Sequence, residues 1–344
     1  MTEIEKWEEI KNNARMRMQP RCMVCPACDG KACAGKAPGP GGKGNGLTFQ
    51  RNCSYLKEHV KIHMDVLHSQ FSPDTSTVLL NQKISLPVLA APIGMVAFSF
   101  SDALNEYSYA QAVVTGMIEA GSLAFTGGGA QDESFYEPLK VIGEHNGRAI
   151  PTLKPWTDEI LYERISLVEE VHPIAFAMDI DTAGLVHAAA SKSAISKKGP
   201  DDIRAICERT KMPLIVKGIL TAGAAVRAVE AGAYGIVVSN HGGRVMDDGL
   251  STAEVLPEIR KAVGGKTKIF VDGGVRSGGD VFKMLALGAD YVLIGRPYAI
   301  AAYGGKSDGV AFYTKKIQAE LADIMGMTGC ATIQDISLSK VSIV

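Results

Sequence analysis

The sequence is short of several things at once. Neither sign of charge is in excess: Lys and Arg total 36 against 37 Asp and Glu, for a net charge of −1. Nothing global therefore invites a nucleic acid or an anionic membrane surface. No apolar run reaches the ~18 residues that a membrane-spanning helix needs. The first residues, MTEIEKWEEIKNNARMRM, are acidic and helical in pattern, so they do not read as a secretory signal. The last residues, SKVSIV, match no lipidation or retention signal. These absences lead us to expect a cytoplasmic protein with neither nucleic acid nor membrane as a partner.

What the chain does have is apolar bulk. With 46% hydrophobic residues in 344, it can bury a large core in one big domain or two small ones. Residues 1–18 fit an amphipathic helix, with Ile4, Trp7, Ile10 and Ala14 close to one face. Cysteines follow at Cys22-x2-Cys25-x2-Cys28-x4-Cys33, and Cys53 lies further on. The stretch from Gly35 to Gly46, rich in Gly, Pro and Lys, must be a loop. We therefore divide the chain into a helical, Cys/Gly-rich extension over 1–74 and a main domain over 75–344.

Within 75–344, short apolar runs alternate with longer helical segments. The runs are Pro87–Pro92, Ser122–Gly127, Arg148–Lys154, Ala175–Asp181, Pro213–Ile219, Gly235–His241, Lys268–Gly274 and Tyr291–Pro297. They are apolar without alternation, as expected of strands covered on both faces. Helix candidates include Ser101–Ala120, Thr221–Ala231 and Gly279–Gly288. Eight such alternations predict an α/β fold, a (β/α)8 TIM barrel with an N-terminal helical extension. An open, doubly wound sheet is the alternative. Thr182–Gly199 is polar and long for a connection, which suggests a lid.

A barrel of this kind gathers function at the C-terminal ends of its strands. Those ends carry Pro92-Ile93-Gly94, Thr126-Gly127, Lys154, Asp179 and Asp181, Lys217-Gly218, His241 to Arg244, Asp272 to Arg276, and Gly295-Arg296. His241 can move a proton near neutral pH. Arg244 offers a planar fork for a carboxylate or phosphate. The loops after strands seven and eight suit a phosphate held by backbone N–H groups, a helix N-terminus, Arg276 and Arg296. Lys217 in the barrel mouth calls either for a ligand that gains negative charge or for an ion pair with Asp179 or Asp181. The other histidines, including His59, His63, His68 and His187, lack a comparable setting. The first three give no clear metal spacing with the cysteines.

The run Ser239-Asn240-His241-Gly242-Gly243-Arg244 resembles the signature of the FMN-dependent 2-hydroxy-acid oxidases and dehydrogenases. The likeness extends to Lys217-Gly218, Asp272-Gly273-Gly274-Val275-Arg276 and Gly295-Arg296-Pro297. It is close from Pro213 to about Gly329, looser from Pro87 to Asp181, and slight before residue 50. The resemblance implies a barrel holding FMN, with Lys217 near the flavin N1 and O2 and Pro92, Ile93 and Gly94 near N5. Ser239, Asp272, Gly274, Arg276, Gly295 and Arg296 would hold the ribityl chain and phosphate. Thr126, Gly127 and Gly273 would complete the cofactor contacts. His241 would be the base, Asp181 its partner, and Arg244 the clamp on the substrate carboxylate. The implied reaction is oxidation of a 2-hydroxy acid, or a related carbinol, to the 2-oxo product. Family members are commonly tetramers or larger, so a homo-oligomer is expected.

The departures from the pattern are specific. Lys154 stands where the family carries a tyrosine at the end of strand three, so Lys154 becomes a candidate substrate contact. Asp181-Thr182-Ala183-Gly184-Leu185 lacks the family's second arginine. The loop around Gly39 stands where an N-terminal tyrosine is expected. These changes suggest a substrate unlike glycolate or lactate, or another chemistry on the same flavin, such as an NAD(P)H-fed reductase or an isomerase. Cys22, Cys25, Cys28 and Cys33 leave three options open on spacing alone: an iron–sulfur cluster, zinc, or a metal-free cysteine loop. A metal- or redox-sensing protein built around that segment is the remaining alternative.

Overall fold

The computed structural model describes residues 2–37, 39–129, 131–185 and 195–344. Eight short parallel strands form the centre. They are β1 (Val88–Ala90), β2 (Phe125–Thr126), β3 (Ile150–Leu153), β4 (Phe176–Asp179), β5 (Leu214–Ile219), β6 (Gly235–Val238), β7 (Lys268–Val271) and β8 (Tyr291–Ile294). Each lies inside one of the eight apolar runs. Neighbours pair in the order β1-β8-β7-β6-β5-β4-β3-β2, and a single bridge between Ala90 and Ala124 joins the ends. The fold is a (β/α)8 barrel.

Side chains alternate between the two faces of a strand. Val88, Phe176, Met178, Val216, Val238, Val271 and Ile294 point outward into the large core beneath the helices. Leu89, Phe125, Ile150, Ala177, Ile215, Val237, Phe270 and Leu293 point inward and fill the barrel. A hairpin of Thr77–Leu79 and Gln82–Ile84 plugs the N-terminal mouth, adding Leu79 and Ile84 to the inner core. Its two turn residues, Leu80 and Asn81, both have positive φ, as a tight two-residue hairpin requires.

The Glu3–Met18 helix starts at a capping box in which Thr2 and Glu5 each satisfy the other's backbone N–H. It buries Ile10, Ala14 and Met18, and Trp7 stacks on Tyr313 at 4.8 Å. Ile4, expected on the same face, is instead 76% exposed. The helix packs against the helical segment Arg296–Met327, which breaks at Lys306. Val60–Ile62 pairs antiparallel with Val341–Ile343, tying the first hundred residues to the C-terminus. Of the segment expected to be a lid, residues 186–194, which include His187, lie outside the described residues. Among the described residues, no helix is long and apolar enough to cross a membrane.

Candidate active site

The inward parity of the strands carries straight into the C-terminal mouth. Two residues beyond Ala177 comes Asp179, beyond Ile215 comes Lys217, beyond Val237 comes Ser239, and beyond Phe270 comes Asp272. Apolar strand centres thus end in a polar layer. Lys154 Nζ lies 2.6 Å from Asp179 Oδ2, and Lys217 Nζ lies 2.9 Å from Asp179 Oδ1 and 3.8 Å from Asp272 Oδ2. Burial opposes ionisation of Asp179, but the ammonium groups of Lys154 and Lys217 overcome it and hold the carboxyl well below the usual range. Burial likewise disfavours the Lys217 ammonium, while Asp179, Asp181 and Asp272 raise its pKa above the ordinary lysine value. Of the two partners open to Lys217 on sequence grounds, Asp179 is the close one. Burial raises Asp272, against the pull of Lys217 and the hydrogen bond from Ser239.

The loop after β6 is backbone chemistry under strain. His241, Gly242 and Gly243 take φ of 55°, 62° and 78°, a left-handed run that side chains rarely adopt. A Cβ on Gly243 would lie 2.5 Å from the backbone nitrogen of Phe49. Asn240 secures the run: its Oδ1 accepts from the Gly243 N–H at 3.2 Å and from Asn52 Nδ2 at 2.9 Å. Asn240 Nδ2 returns a hydrogen bond to Asn52 Oδ1 at 2.8 Å. The His241 N–H donates to Ser239 Oγ at 3.0 Å, and His241 Nδ1 lies 3.1 Å from Asp181 Oδ1. Gly218, at φ 106°, lets the bulged end of β5 approach Asp181, since a Cβ there would sit 2.8 Å from the aspartate side chain. Asp179, Asp181 and His241 each place a potential metal ligand within 4.8 Å of the others. Two lysines already balance Asp179, so this group is a charge and proton network.

Arg244 stands apart from that network. It is half-buried, it has no ion-pair partner among the described residues, and its buried Nε has no hydrogen-bond partner. Desolvation, with Arg296 nearby, pulls its pKa down to about 10. It lines the same cavities as His241, one shared with Lys154 and the other with Lys217 and Asp272. Other buried polar atoms without partners, Thr126 Oγ1, Thr152 Oγ1, Asp181 Oδ2 and Asp272 Oδ1, belong to the same strand ends. Buried polar atoms are normally satisfied, so a ring of unsatisfied ones around one mouth points to a polar ligand.

The two other arginines meet the N-terminal segment. Arg276 donates from Nε to the Cys28 carbonyl at 3.0 Å, and Arg296 from Nε to the Pro40 carbonyl at 2.8 Å. Arg296 also lies over the Phe49 ring at 3.8 Å. Neither has a carboxylate partner among the described residues: their hydrogen bonds go to backbone carbonyls and, for Arg276, to the Cys28 sulfur, so both positive charges lack a counter-charge. The helix after β7 meets acidic side chains instead. Asp280 accepts from the Arg276 N–H at 2.9 Å, and Glu320 accepts from the Gly278 N–H at 2.7 Å. Two of the backbone N–H groups expected to meet a phosphate there are thus already engaged. The Arg296 helix has no side-chain cap. Gly295 lines the cavity, and a Cβ there would meet nothing nearer than 3.7 Å, so the fold itself does not require glycine.

The sequence-derived candidates converge on this mouth: Pro92, Ile93, Gly94, Gly127, Lys154 and Asp179 line one cavity, and Lys217, Asp272, Arg276, Gly295 and Arg296 the other. Gly127 crosses Gly94 so closely that a Cβ would sit 2.2 Å from the Gly94 nitrogen. Gly273 and Gly274 instead face Asn52, at 3.2 Å and 2.1 Å from where their Cβ atoms would be, so they have a packing role. Sequence reasoning missed Pro40, Phe49, Asn52 and Phe100. A polar Asn and an aromatic inside the Leu47–Glu58 helix, both fully buried, were the available signal.

Comparisons with known proteins agree with this geometry. The sequence profile of the FMN-dependent dehydrogenases matches residues 39–125 and 150–343. An L-lactate oxidase of Lactobacillus jensenii is 47% identical over 140 residues, 41% of this chain and 34% of that protein. A 4-hydroxymandelate oxidase of Amycolatopsis orientalis is 48% identical over 135 residues, 39% of this chain and 37% of that protein. The matched stretch thus spans well under half of these curated relatives. Among solved structures, mandelate oxidase with (S)-2-phenylpropionate superposes with a TM-score of 0.78 at 26% identity, covering 98% of this chain and 97% of that one. A mandelate oxidase variant with a monooxide FMN adduct gives a TM-score of 0.74 at 29% identity, covering 92% and 99%. With a mouth whose unsatisfied polar atoms and acid-free guanidiniums suit a phosphorylated flavin, and a profile match over most of its length, this chain belongs to the FMN-dependent dehydrogenase family.

Proposed function

We propose that this protein oxidises a 2-hydroxy acid, or a related carbinol, to the 2-oxo product. One observation carries the reading: an imidazole held by a carboxylate shares a cavity wall with a guanidinium that has no acid of its own. Arg244 is the anion site, and its fork suits a substrate carboxylate. An Nδ1–H donated to Asp181 leaves His241 Nε2 to take the proton, and Asp181 stabilises the imidazolium that results. Lys217, in the same cavity wall, would supply a cation toward the reduced cofactor's negative charge. Lys154 is neutralised by Asp179, so it sets the charge of the floor and leaves Arg244 as the main carboxylate contact.

FMN, when bound, supplies the electron acceptor for the two-electron oxidation. Pro92, Ile93, Gly94, Thr126 and Gly127 would line one side of it. Ser239, Asp272, Gly295, Arg276 and Arg296 would hold its ribityl phosphate, with Gly273 and Gly274 behind them. The same reading carries a cytoplasmic homo-oligomer, tetrameric or larger, which light scattering after size exclusion checks.

The test is an anaerobic screen of 2-hydroxy acids on the FMN-loaded protein, read as loss of the yellow absorbance. At least one acid should bleach it, and His241→Ala should keep the flavin and stay yellow. Bleaching by NADPH and by no hydroxy acid would replace this reading with a reductase. Undiminished bleaching of His241→Ala would remove His241 from the proton transfer.

A further inference from the structure

The N-terminal cysteines are not used by the chemistry at His241. Cys22, Cys25, Cys28 and Cys33 nevertheless line one small cavity, and Arg296 forms part of its wall. The polypeptide between them is held in place from outside. Cys28 gives its carbonyl to Arg276, and Arg276 Nη2 lies 3.6 Å from Cys28 Sγ. Gly30, at φ 88°, lies against the Phe49 ring, where a Cβ would come within 2.7 Å of a ring carbon. Val24, fully buried at φ 46°, anchors the turn between the first two cysteines. Four thiols thus line one cavity through a segment with little regular structure.

Three kinds of chemistry could explain four thiols around one cavity. Disulfide pairing is not it, since all seven cysteines are free. A reactive thiol pair would use two of the four and leave the other two without a role. A single zinc ion needs its sulfurs ~3.8 Å apart, given Zn–S bonds of about 2.3 Å in a tetrahedron. Among the described residues, no three of these sulfurs lie within 4.8 Å of one another. A metal group held by all four uses every thiol, and the spacing of the first three favours a cluster.

We propose that Cys22, Cys25, Cys28 and Cys33 bind a [4Fe–4S] cluster in the cavity beside Arg296. The first three ligands follow C-x2-C-x2-C spacing, a spacing used by clusters of this type. Four thiolates around such a core carry net negative charge. Arg276 and Arg296, which have no carboxylate partner, stand against it and make it easier to hold in an apolar wall. Pro40, Phe100 and Arg296 line both this cavity and the one beneath His241, so one layer of side chains separates the two sites. The site does not depend on which substrate is turned over.

The test uses the full chain, purified without oxygen and reconstituted with ferrous iron, sulfide and a thiol reductant. Iron and acid-labile sulfide should reach about four of each per chain, with a paramagnetic signal after dithionite reduction. Flavin content is measured separately, so loss of the cluster and loss of the flavin are distinguishable. Cys25→Ala and Cys28→Ala should lose iron and sulfide, whereas Cys207→Ala, in the distant Pro200–Arg209 helix, should retain both. One zinc per chain without sulfide, no retained iron in the wild-type chain, or full iron and sulfide in both ligand variants would each overturn the proposal. The wild-type metal count stands even if a variant fails to fold.

Discussion

Two tiers of charge meet in the barrel mouth, and they are built on opposite principles. The lower tier sits on strands and is largely matched: Asp179 lies between Lys154 and Lys217, and Asp272 takes a hydrogen bond from Ser239 on one oxygen while the other has no partner. The upper tier sits on loops and is incomplete: among the described residues, Arg244, Arg276 and Arg296 have no acidic partner. Buried charges tolerate burial only when matched. A matched tier is scaffold, and an unmatched one awaits ligands. Removing a member should therefore cost stability in the lower tier and binding in the upper one.

The largest effect expected of that contrast is at Asp179. Asp179→Ala leaves two ammonium groups buried without an anion, which should destabilise the fold by about 3–5 kcal/mol, as breaking a buried pair does. Urea unfolding measures it, and a loss under ~1 kcal/mol would mean the tier is not a matched unit. Arg244→Met is the opposite case. Losing a charge-assisted contact worth about 1.5–3 kcal/mol should lower kcat/KM roughly 10- to 150-fold, while the Tm of the ligand-free protein stays at or above wild type. A Tm that falls as far as that of Asp179→Ala would erase the distinction between the tiers.

A third expectation concerns pH. The carboxyl of Asp179 is depressed in the folded state, so its contribution is present above the ordinary carboxylate pKa of ~3.9 and is lost as pH falls below it. Lys154→Met removes the nearer of the two cations that depress it. The folded pKa then rises, and acid unfolding should begin at a higher pH than in wild type. An unshifted acid limb would detach Lys154 from the tier. The smallest effect is at Gly295. Gly295→Ala meets no atom nearer than 3.7 Å, so stability should move by under ~0.5 kcal/mol. FMN, measured by fluorescence titration, should bind more weakly if the cavity is where its chain runs.

Much of the lower tier could be read without coordinates. All eight strands fall inside apolar runs, and their polar last residues follow from period-two alternation through a closed barrel. His241 and Arg244 were visible for the same reason, as polar residues at the end of an apolar run. What stayed hidden depends on contacts between distant stretches. The Arg276 bond to the Cys28 carbonyl joins residues 248 apart, and backbone carbonyls carry no residue signature. The sharing of Asp179 between two lysines was hidden for a related reason. Asp179 and Asp181 are both plausible partners in the chain, but the strand ends at Asp179, which meets the lysines, while Asp181 lies in the 3₁₀ turn Ile180–Gly184 and meets His241. Ile4 misled because its spacing fits the buried face, yet it lies in the helix's first turn and stays exposed.

The hoop of strands is fastened at one clasp. Seven of its joints are laddered, but the eighth rests on Ala90 and Ala124 and little else of the backbone. A ring opens where it is least stitched, so amide exchange around residues 88–91 and 123–126 should outpace that of the opposite wall. Those residues run directly into Pro92–Gly94 and Thr126–Gly127. A flat cofactor resting there would span the gap, and loading it should slow exchange at the clasp more than anywhere else in the barrel.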